Sequence, residues 1–340
     1  GTPALRVRGS DYGAHVRGGL WFQGDGTRPW LEIAAELDDA PVPAAKKFWI
    51  HHMMPSAAVD WLDAALEGGV VTGGRGLVAG DLDDWPFTDN DGRFDASARI
   101  RDGRFQFQPD WPALEGADAR VAFVGNGFEV EGKGRIGGLP VGRFKAGIAD
   151  FGEAELKVEA EAAGDAARLL ALLRNSPLEA EHHDTLANLE ASGPAQTRFS
   201  LALPLEAGHG PARVDGTVSL EGARLAEKRW GLVFDGVTGQ ARYDGNGFAA
   251  ERLDVRHRDQ PGVLSLRAGR HVRDPLQAFE AELGALLDAG DLLERAPELE
   301  WLEPLVRGRS DWTFAVAMPL QPVSGSEGVL HLRSDLVGTV

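Results

Sequence analysis

Cysteine is absent from this chain, which excludes disulfides, thiolate zinc sites and cysteine nucleophiles. Basic residues are in deficit, 35 against 52 acidic ones, and the net charge of −17 would repel phosphate backbones and anionic headgroups. Nucleic acid is therefore not an expected partner. No run approaches the roughly 18 consecutive apolar residues that a bilayer-crossing helix needs. Gly1-Thr2-Pro3 begins neither a signal peptide nor an evident first strand. At the other end, Gly328–Leu336 reads as an unfinished strand pair, so the expectation is a fragment of something longer, with room outside it for a membrane anchor. Aromatic residues are few, at 8%. Glycine and proline are plentiful instead, at 44 and 19, and together with 43% apolar residues they fit many short strands joined by turns better than long helices.

The chain repeats itself. Residues 92–128 lie over residues 212–248 without a gap at an offset of 120, matching Arg93 to Arg213, Asp95 to Asp215, Arg104 to Arg224 and Gly116 to Gly236. Gly125-Asn126-Gly127-Phe128 falls on Gly245-Asn246-Gly247-Phe248. Farther on, Leu172–Pro177 corresponds to Leu292–Pro297, and Phe199–Leu205 to Phe314–Leu320. Self-similarity at a fixed period marks arrays in which each unit buries its faces against its neighbours, and so predicts an elongated object. The divisions are 1–91, a β segment with a helix near 56–67; 92–205, a first repeat with a helix near 165–174; 206–320, a second with a helix near 285–295; and 321–340, the start of a third. The repeat length is about 115–120 residues.

Within each unit the apolar residues alternate: Phe94, Ala96, Ala98 and Ile100 interleave with Asp95, Ser97, Arg99 and Arg101. That period is the mark of a strand with one wet face. Trp30–Leu37 and the segments 119–124, 128–136, 141–149, 153–162, 197–203, 238–243, 248–257, 262–268, 276–283, 310–318 and 328–334 read the same way. Asp102-Gly103, Asn126-Gly127 and Asn246-Gly247 supply hairpin signals, hence antiparallel pairing. Pro55-Ser56 starts the first helix and Gly68-Gly69 is its expected stop, while a proline- and alanine-rich loop is expected around 41–45.

Catalytic and metal chemistry finds no support. His51-His52 and His182-His183 lack the spacing of converging ligands. The acidic run through Asp81, Asp83, Asp84, Asp89 and Asp91 does not fit an EF-hand frame and reads as solvated turns. Gly74–Gly80 has the wrong spacing for a dinucleotide fingerprint, no Gly-x-Ser-x-Gly elbow occurs, and no carboxylate pair stands out among the 52. Neither an enzyme nor a cofactor is expected. Trp85 and Trp111 flank turns, where an indole either stacks on a sugar or covers a sheet end.

The distributed feature is the apolar strand face. The residues assigned to it are Phe94, Ile100, Phe105, Phe107, Val121, Phe123, Val130, Phe144, Ile148, Leu156, Val158, Phe199, Leu201, Val214, Val218, Leu220, Leu264, Leu266, Phe314 and Val316. A sheet that curls without filling its interior would turn this face into a trough for acyl chains. A closed β-sandwich would bury the same pattern, leaving a structural or scaffolding module. A third reading, a carbohydrate-binding β-protein, would use Trp85 and Trp111 as platforms.

Lys47-Phe48-Trp49-Ile50-His51-His52-Met53-Met54-Pro55 leading into Val59-Asp60-Trp61-Leu62-Asp63 resembles the YhdP family of AsmA-like envelope proteins. So do Gly80–Phe87, Phe107–Gly116 and Arg229-Trp230-Gly231, and the likeness covers most of the chain. The resemblance implies a mainly β protein: a long, curled, antiparallel groove with a few short helices, tethered to the inner membrane by an N-terminal helix outside this chain. It implies a periplasmic position and a role in carrying phospholipid toward the outer membrane, with other envelope proteins as possible partners. It supplies no catalytic residues.

Overall fold

The computed structural model describes residues 1–48, 56–85, 87, 89, 91–151, 155–176, 178–205, 210–228, 231–288, 307–320, 328–335 and 337–338. The chain is mainly β, one open antiparallel sheet of 19 strands that does not close into a barrel, with a few short helices. It divides into two compact units. The first comprises Gly1–Ala163, Ala171–Glu181 and Phe199–Arg213; the second comprises Gly164–Leu170, His182–Arg198 and Val214–Val340.

The N-terminal strands are β1 (Thr2–Arg8), β2 (Gly13–Trp21), β3 (Trp30–Leu37), β4 (Ala40–Pro41) and β5 (Leu66–Asp81). They continue as β6 (Gly92–Phe105), β7 (Leu114–Val124), β8 (Gly127–Ile136), β9 (Leu139–Ile148) and β10 (Glu155–Asp165). Each pairs antiparallel with its sequence neighbour, except that β5 takes both β3 and β4 on one side. Helices α1 (Ser56–Ala65), α2 (Ala166–Arg174) and α3 (Leu178–Asn188) and a 3-10 turn at Val42–Phe48 interrupt the sheet. Then come β11 (Leu189–Ser192), β12 (Pro194–Pro204), β13 (Arg213–Glu227), β14 (Leu232–Asp244), β15 (Gly247–His257) and β16 (Gln260–Gly269). The last strands are β17 (Gln277–Asp288), β18 (Arg309–Pro319) and β19 (Val329–Ser334). β10 pairs with β12 and β11 with β13, after which neighbours again pair in order.

Several expectations are corrected. A strand, β1, does begin at Thr2, and the proline-rich loop near 41–45 is a 3-10 turn. Gly68-Gly69 does not stop α1, which ends at Ala65 and hands the chain directly to β5. The glycines serve a bulge against β6, where a Cβ on Gly69 would sit 2.7 Å from the Gly103 Cα, with φ at +107°. The helix expected near 285–295 is strand through Asp288, held by Ala285 opposite Trp312 and Leu287 opposite Ser310; residues 289–295 lie outside the described residues. Turns also fall one residue early, with Gly125-Asn126 and Gly245-Asn246 as the two-residue loops.

Features recur at the repeat offset. Asp102 and Gly222 share positive φ, as do Gly116 and Gly236. The Arg104–Glu115 ion pair has its counterpart in Arg224–Asp235 at 2.9 Å. Ala117 and Val237 are each fully buried.

Candidate functional site

Register turns the alternating pattern into transverse rows. In the first unit one row runs Ala96, Phe123, Phe128, Ile148 and Leu156 across β6 to β10, with Phe94 two residues outward on β6. The next runs Ala98, Val121, Val130, Ala146 and Val158. A third runs Ile100, Ala119, Gly132, Phe144 and Ala160. The opposite face is charged along the same strands: Arg99, Arg120, Glu131, Lys145 and Glu159 stand side by side, all exposed. Such cross-strand neighbours of mixed sign stabilise a solvated face only modestly.

The second unit repeats the arrangement. Gly216, Tyr243, Phe248, Ala268, Phe279 and Met318 form an outer row across β13 to β18. Leu253, Leu264, Leu283 and Phe314 form an inner one. Leu253, Leu264 and Leu283 belong to a buried cluster with Ala223, Phe234, Val237, Ala250, Val255 and Ala285.

Burial changes along the strands in both units. Phe123, Phe128, Tyr243, Phe248, Phe279 and Met318, at one end, are half-exposed. Toward the other end Ile100, Ala117 and Val141 in the first unit, and Val237 and Leu253 in the second, are buried. In the first unit α1 and the C-terminal turn of α2, from Ala171 to Arg174, lie at that buried end. The Trp61 indole N–H donates to the Phe107 carbonyl at 2.8 Å, and Leu172 of α2 lies over Gly137.

The half-open end is aromatic. Trp85 meets Phe87 and Phe94 edge-on at 5.4 and 5.0 Å, Phe123 meets Phe128, and Phe128 stacks on Phe151. Phe248 lies 6.4 Å from Phe279. Glycines make room for these rings. A Cβ on Gly92 would fall 2.2 Å from the Phe87 ring, and one on Gly216 would fall 2.1 Å from Tyr243. Burial raises the Tyr243 phenol above its ordinary value, offset in part by a hydrogen bond with Thr197.

Of the twenty residues assigned to the apolar face, Ile100, Phe144, Ile148 and Leu264 are buried and the other sixteen are half-exposed. Register brings Val121, Phe123, Val130, Ile148, Leu156 and Val158 together, and likewise Leu264, Leu266, Phe314 and Val316. Phe107 lies past the end of β6, in a loop where it meets Trp111 at 6.2 Å, so it does not share those rows. Phe128 and Phe248 belong to the rows and were not singled out; their signal was the doubled Gly-Asn-Gly-Phe.

The acidic turn behaves as a turn. Asp81 caps a short 3-10 segment by accepting from the Asp83 backbone N–H at 3.0 Å, and Arg28 pairs with Asp83. Partial desolvation, with repulsion from Asp91, Asp81, Asp83 and Asp89, raises the Asp84 carboxyl above its usual range. Asp244 is lowered by the Asn246 backbone N–H and by His271. No three His, Asp or Glu side chains converge on a metal position among the described residues, which do not include His51 and His52. A recess of about 660 Å³ in the second unit is lined by Arg252, Asp254, Arg256 and Asp311 together with apolar residues that include Val255, Val263, Ala285, Leu286 and Trp312. No helix among the described residues is long and apolar enough to cross a membrane.

No solved structure matches the chain. It is 26% identical over 249 residues to the intermembrane phospholipid transporter YhdP of Escherichia coli (strain K12), an alignment covering 73% of this chain and 20% of that protein. The chain thus spans about a fifth of that relative's length. A family model described as YhdP protein matches residues 5–340. Because that model covers nearly the whole chain, this chain belongs to the YhdP family.

Proposed function

We propose that this chain is a segment of a bridge that carries phospholipid between the inner and outer membranes, with acyl chains lying on the apolar rows and headgroups left in water. The observation that carries the reading is the run of half-exposed apolar side chains continuing from strand to strand in an open sheet, backed by a charged outer face in the first unit. The E. coli relative's name supports phospholipid as the cargo and two membranes as its termini. Each methylene withdrawn from water contributes roughly 0.8 kcal/mol, so a chain can be held and passed on without any bond being made or broken. The half-exposed residues other than Phe107, among them Val121, Val130, Val218 and Phe199, are the ones a lipid would touch directly. The four buried ones would support them from beneath. The reading places the chain in the periplasm, tethered to the inner membrane by a helix outside it, with envelope proteins as further partners. It treats 92–205 and 206–320 as successive repeats, on the strength of the ion pairs and positive-φ turns shared at the offset of 120.

The buried cluster around Leu253, Leu264 and Leu283 favours a second reading for the second unit, a closed structural module. Native mass spectrometry of the purified chain separates the two. Co-purified phospholipid is expected, and its loss is expected in Val130→Glu and Val218→Glu variants that keep the wild-type circular dichroism spectrum. A chain that emerges lipid-free, or variants that retain lipid in full, would leave the structural module standing.

A further inference from the structure

Two exposed indoles share the outer face of the first unit, on the other side of the sheet from the apolar rows. Trp21 ends β2 and Trp30 begins β3, and the two stand directly opposite each other in register. Such a pair has its Cβ atoms about 5 Å apart on one side of the sheet. Alternation fixes which side: Ile33 leads through Val78 to Phe94 on the apolar face, which leaves Trp30, Glu32 and Ala34 on the other. Trp21 is 51% and Trp30 42% exposed. The Trp21 ring lies along its own strand over Gly19, where an added Cβ would fall 2.5 Å from it. The turn tryptophans Trp85 and Trp111 pack instead against Phe87, Phe94 and Phe107.

Planar polar groups surround the pair. Glu32 stands opposite Gly19, and Arg17 opposite Ala34 one row farther in. Both are exposed, and neither side chain has a hydrogen bond or ion pair among the described residues. Gln23 donates its amide N–H to Asp81, the residue opposite Trp30, and its own carbonyl can still accept. The loop between the indoles is tied down. The Arg28 backbone N–H donates to Asp83 at 2.9 Å, its guanidinium donates to the Leu82 carbonyl at 3.2 Å, and the Thr27 N–H donates to Asp25 at 3.0 Å. The patch is therefore arranged before any ligand arrives.

We propose that this patch binds a neutral saccharide chain, its pyranose rings lying on the Trp21 and Trp30 indoles and its hydroxyls bonded to Glu32, Arg17 and Gln23. The C–H face of a pyranose is apolar and weakly positive, which suits the negative face of an indole. Sugar hydroxyls both donate and accept, and a carboxylate, a guanidinium and an amide side by side match them. An acidic sugar is disfavoured by the chain's net charge of −17. A bilayer is a poor occupant, because Glu32 and Arg17 would have to enter the apolar layer with the indoles. A folded protein partner needs roughly 800 Å² on each side, of which Trp21, Phe22 and Trp30 offer only part of about 150–250 Å² apiece. The site is independent of lipid carriage, since it lies on the other face of the sheet, and either can fail without the other.

Calorimetric titration of the whole chain with chitohexaose, a neutral N-acetylglucosamine polymer, tests this, with hexagalacturonic acid and phosphatidylcholine vesicles as comparison probes. Saturable binding of chitohexaose alone is expected. Trp30→Ala should weaken it about tenfold, the scale of one lost stacking contact on an aromatic ring. Glu32→Gln, which leaves the tryptophan pair intact, should weaken it several-fold, and lipid bound to either variant, read by native mass spectrometry, should not change. Should Trp30→Ala fail to fold, Glu32→Gln still decides, together with hydrogen exchange of the wild-type chain, where saturating chitohexaose is expected to protect Trp21–Gln23 and Trp30–Glu32. No binding of chitohexaose, equal binding of the acidic oligosaccharide, vesicles bound in its place, or an affinity indifferent to the variants overturns the proposal.

Discussion

Individual glycines show how closely the strands approach one another. Gly127 has an ordinary φ, so its turn does not require it; what requires it is the Ala149 carbonyl, which would lie 2.3 Å from an added Cβ. Gly142, in the neighbouring strand, has open space at the same position. Gly127→Ala is therefore expected to cost about 1–3 kcal/mol by forcing β8 and β9 apart, whereas Gly142→Ala should be neutral or gain about 0.4–1 kcal/mol from a less free unfolded chain. Urea titrations of the two variants check the contrast. Asp84 offers a test by pH. Its carboxyl is raised in the folded protein, so the folded state binds the proton more readily than the unfolded one and stability falls as pH rises through that range. Asp84→Asn should raise Tm at neutral pH, and the gain should shrink to nothing as acid protonates the wild-type carboxyl. A thermal melt series from neutral to acidic pH would show it.

Strands were legible where side chains alternate and illegible where backbone pairing alone makes the strand. Trp30–Leu37 has the expected bounds because Leu31, Ile33 and Ala35 alternate with Glu32 and Glu36 and stand opposite Leu20, Val78 and Val16 on the flanking strands. β5 carries six glycines in sixteen residues, a composition that argues against a strand, yet β3 and β6 pair with it on both sides and override the local preference. Ala285-Leu286-Leu287 has the look of a helix, but the ladder with β18 fixes it extended. α3 mixes His, Asp, Thr and Asn with few apolar residues, so no stripe announced it. The apolar rows could be read only as a set of inward residues; which of them stand side by side depends on bulges, such as the one between Ile100 and Gly103, that the sequence does not mark. α2 was legible, and its buried Leu172 carries a consequence: Leu172→Ala should cost about 3 kcal/mol and loosen the cover over Gly137. Equilibrium unfolding measures the loss, and hydrogen exchange at Ile136–Leu139 locates it.

Across the chain as a unit, the proposed lipid carriage would set charge and apolar surface to work on different parts of a lipid. The net charge of −17 offers nothing to an anionic headgroup, while apolar rows that carry lipid would recognise only its hydrocarbon. Uptake of phosphatidylglycerol relative to phosphatidylethanolamine should therefore be poor at low salt and improve as salt rises, because screening shortens from about 30 Å at 0.01 M to about 10 Å at 0.1 M. Competition between the two lipids followed by mass spectrometry tests this, and a preference for phosphatidylglycerol that weakens with salt would point to a cationic site instead.

From β5 to β10, and again from β13 to β19, every strand has its sequence neighbour as its hydrogen-bonding neighbour. A meander of that kind can assemble in the order of synthesis, each hairpin adding to the margin left by the last, with no distant segment to await. Evolution can lengthen or shorten it by whole hairpins without redesigning what is already in place, since an inserted pair needs only to match the margin it joins.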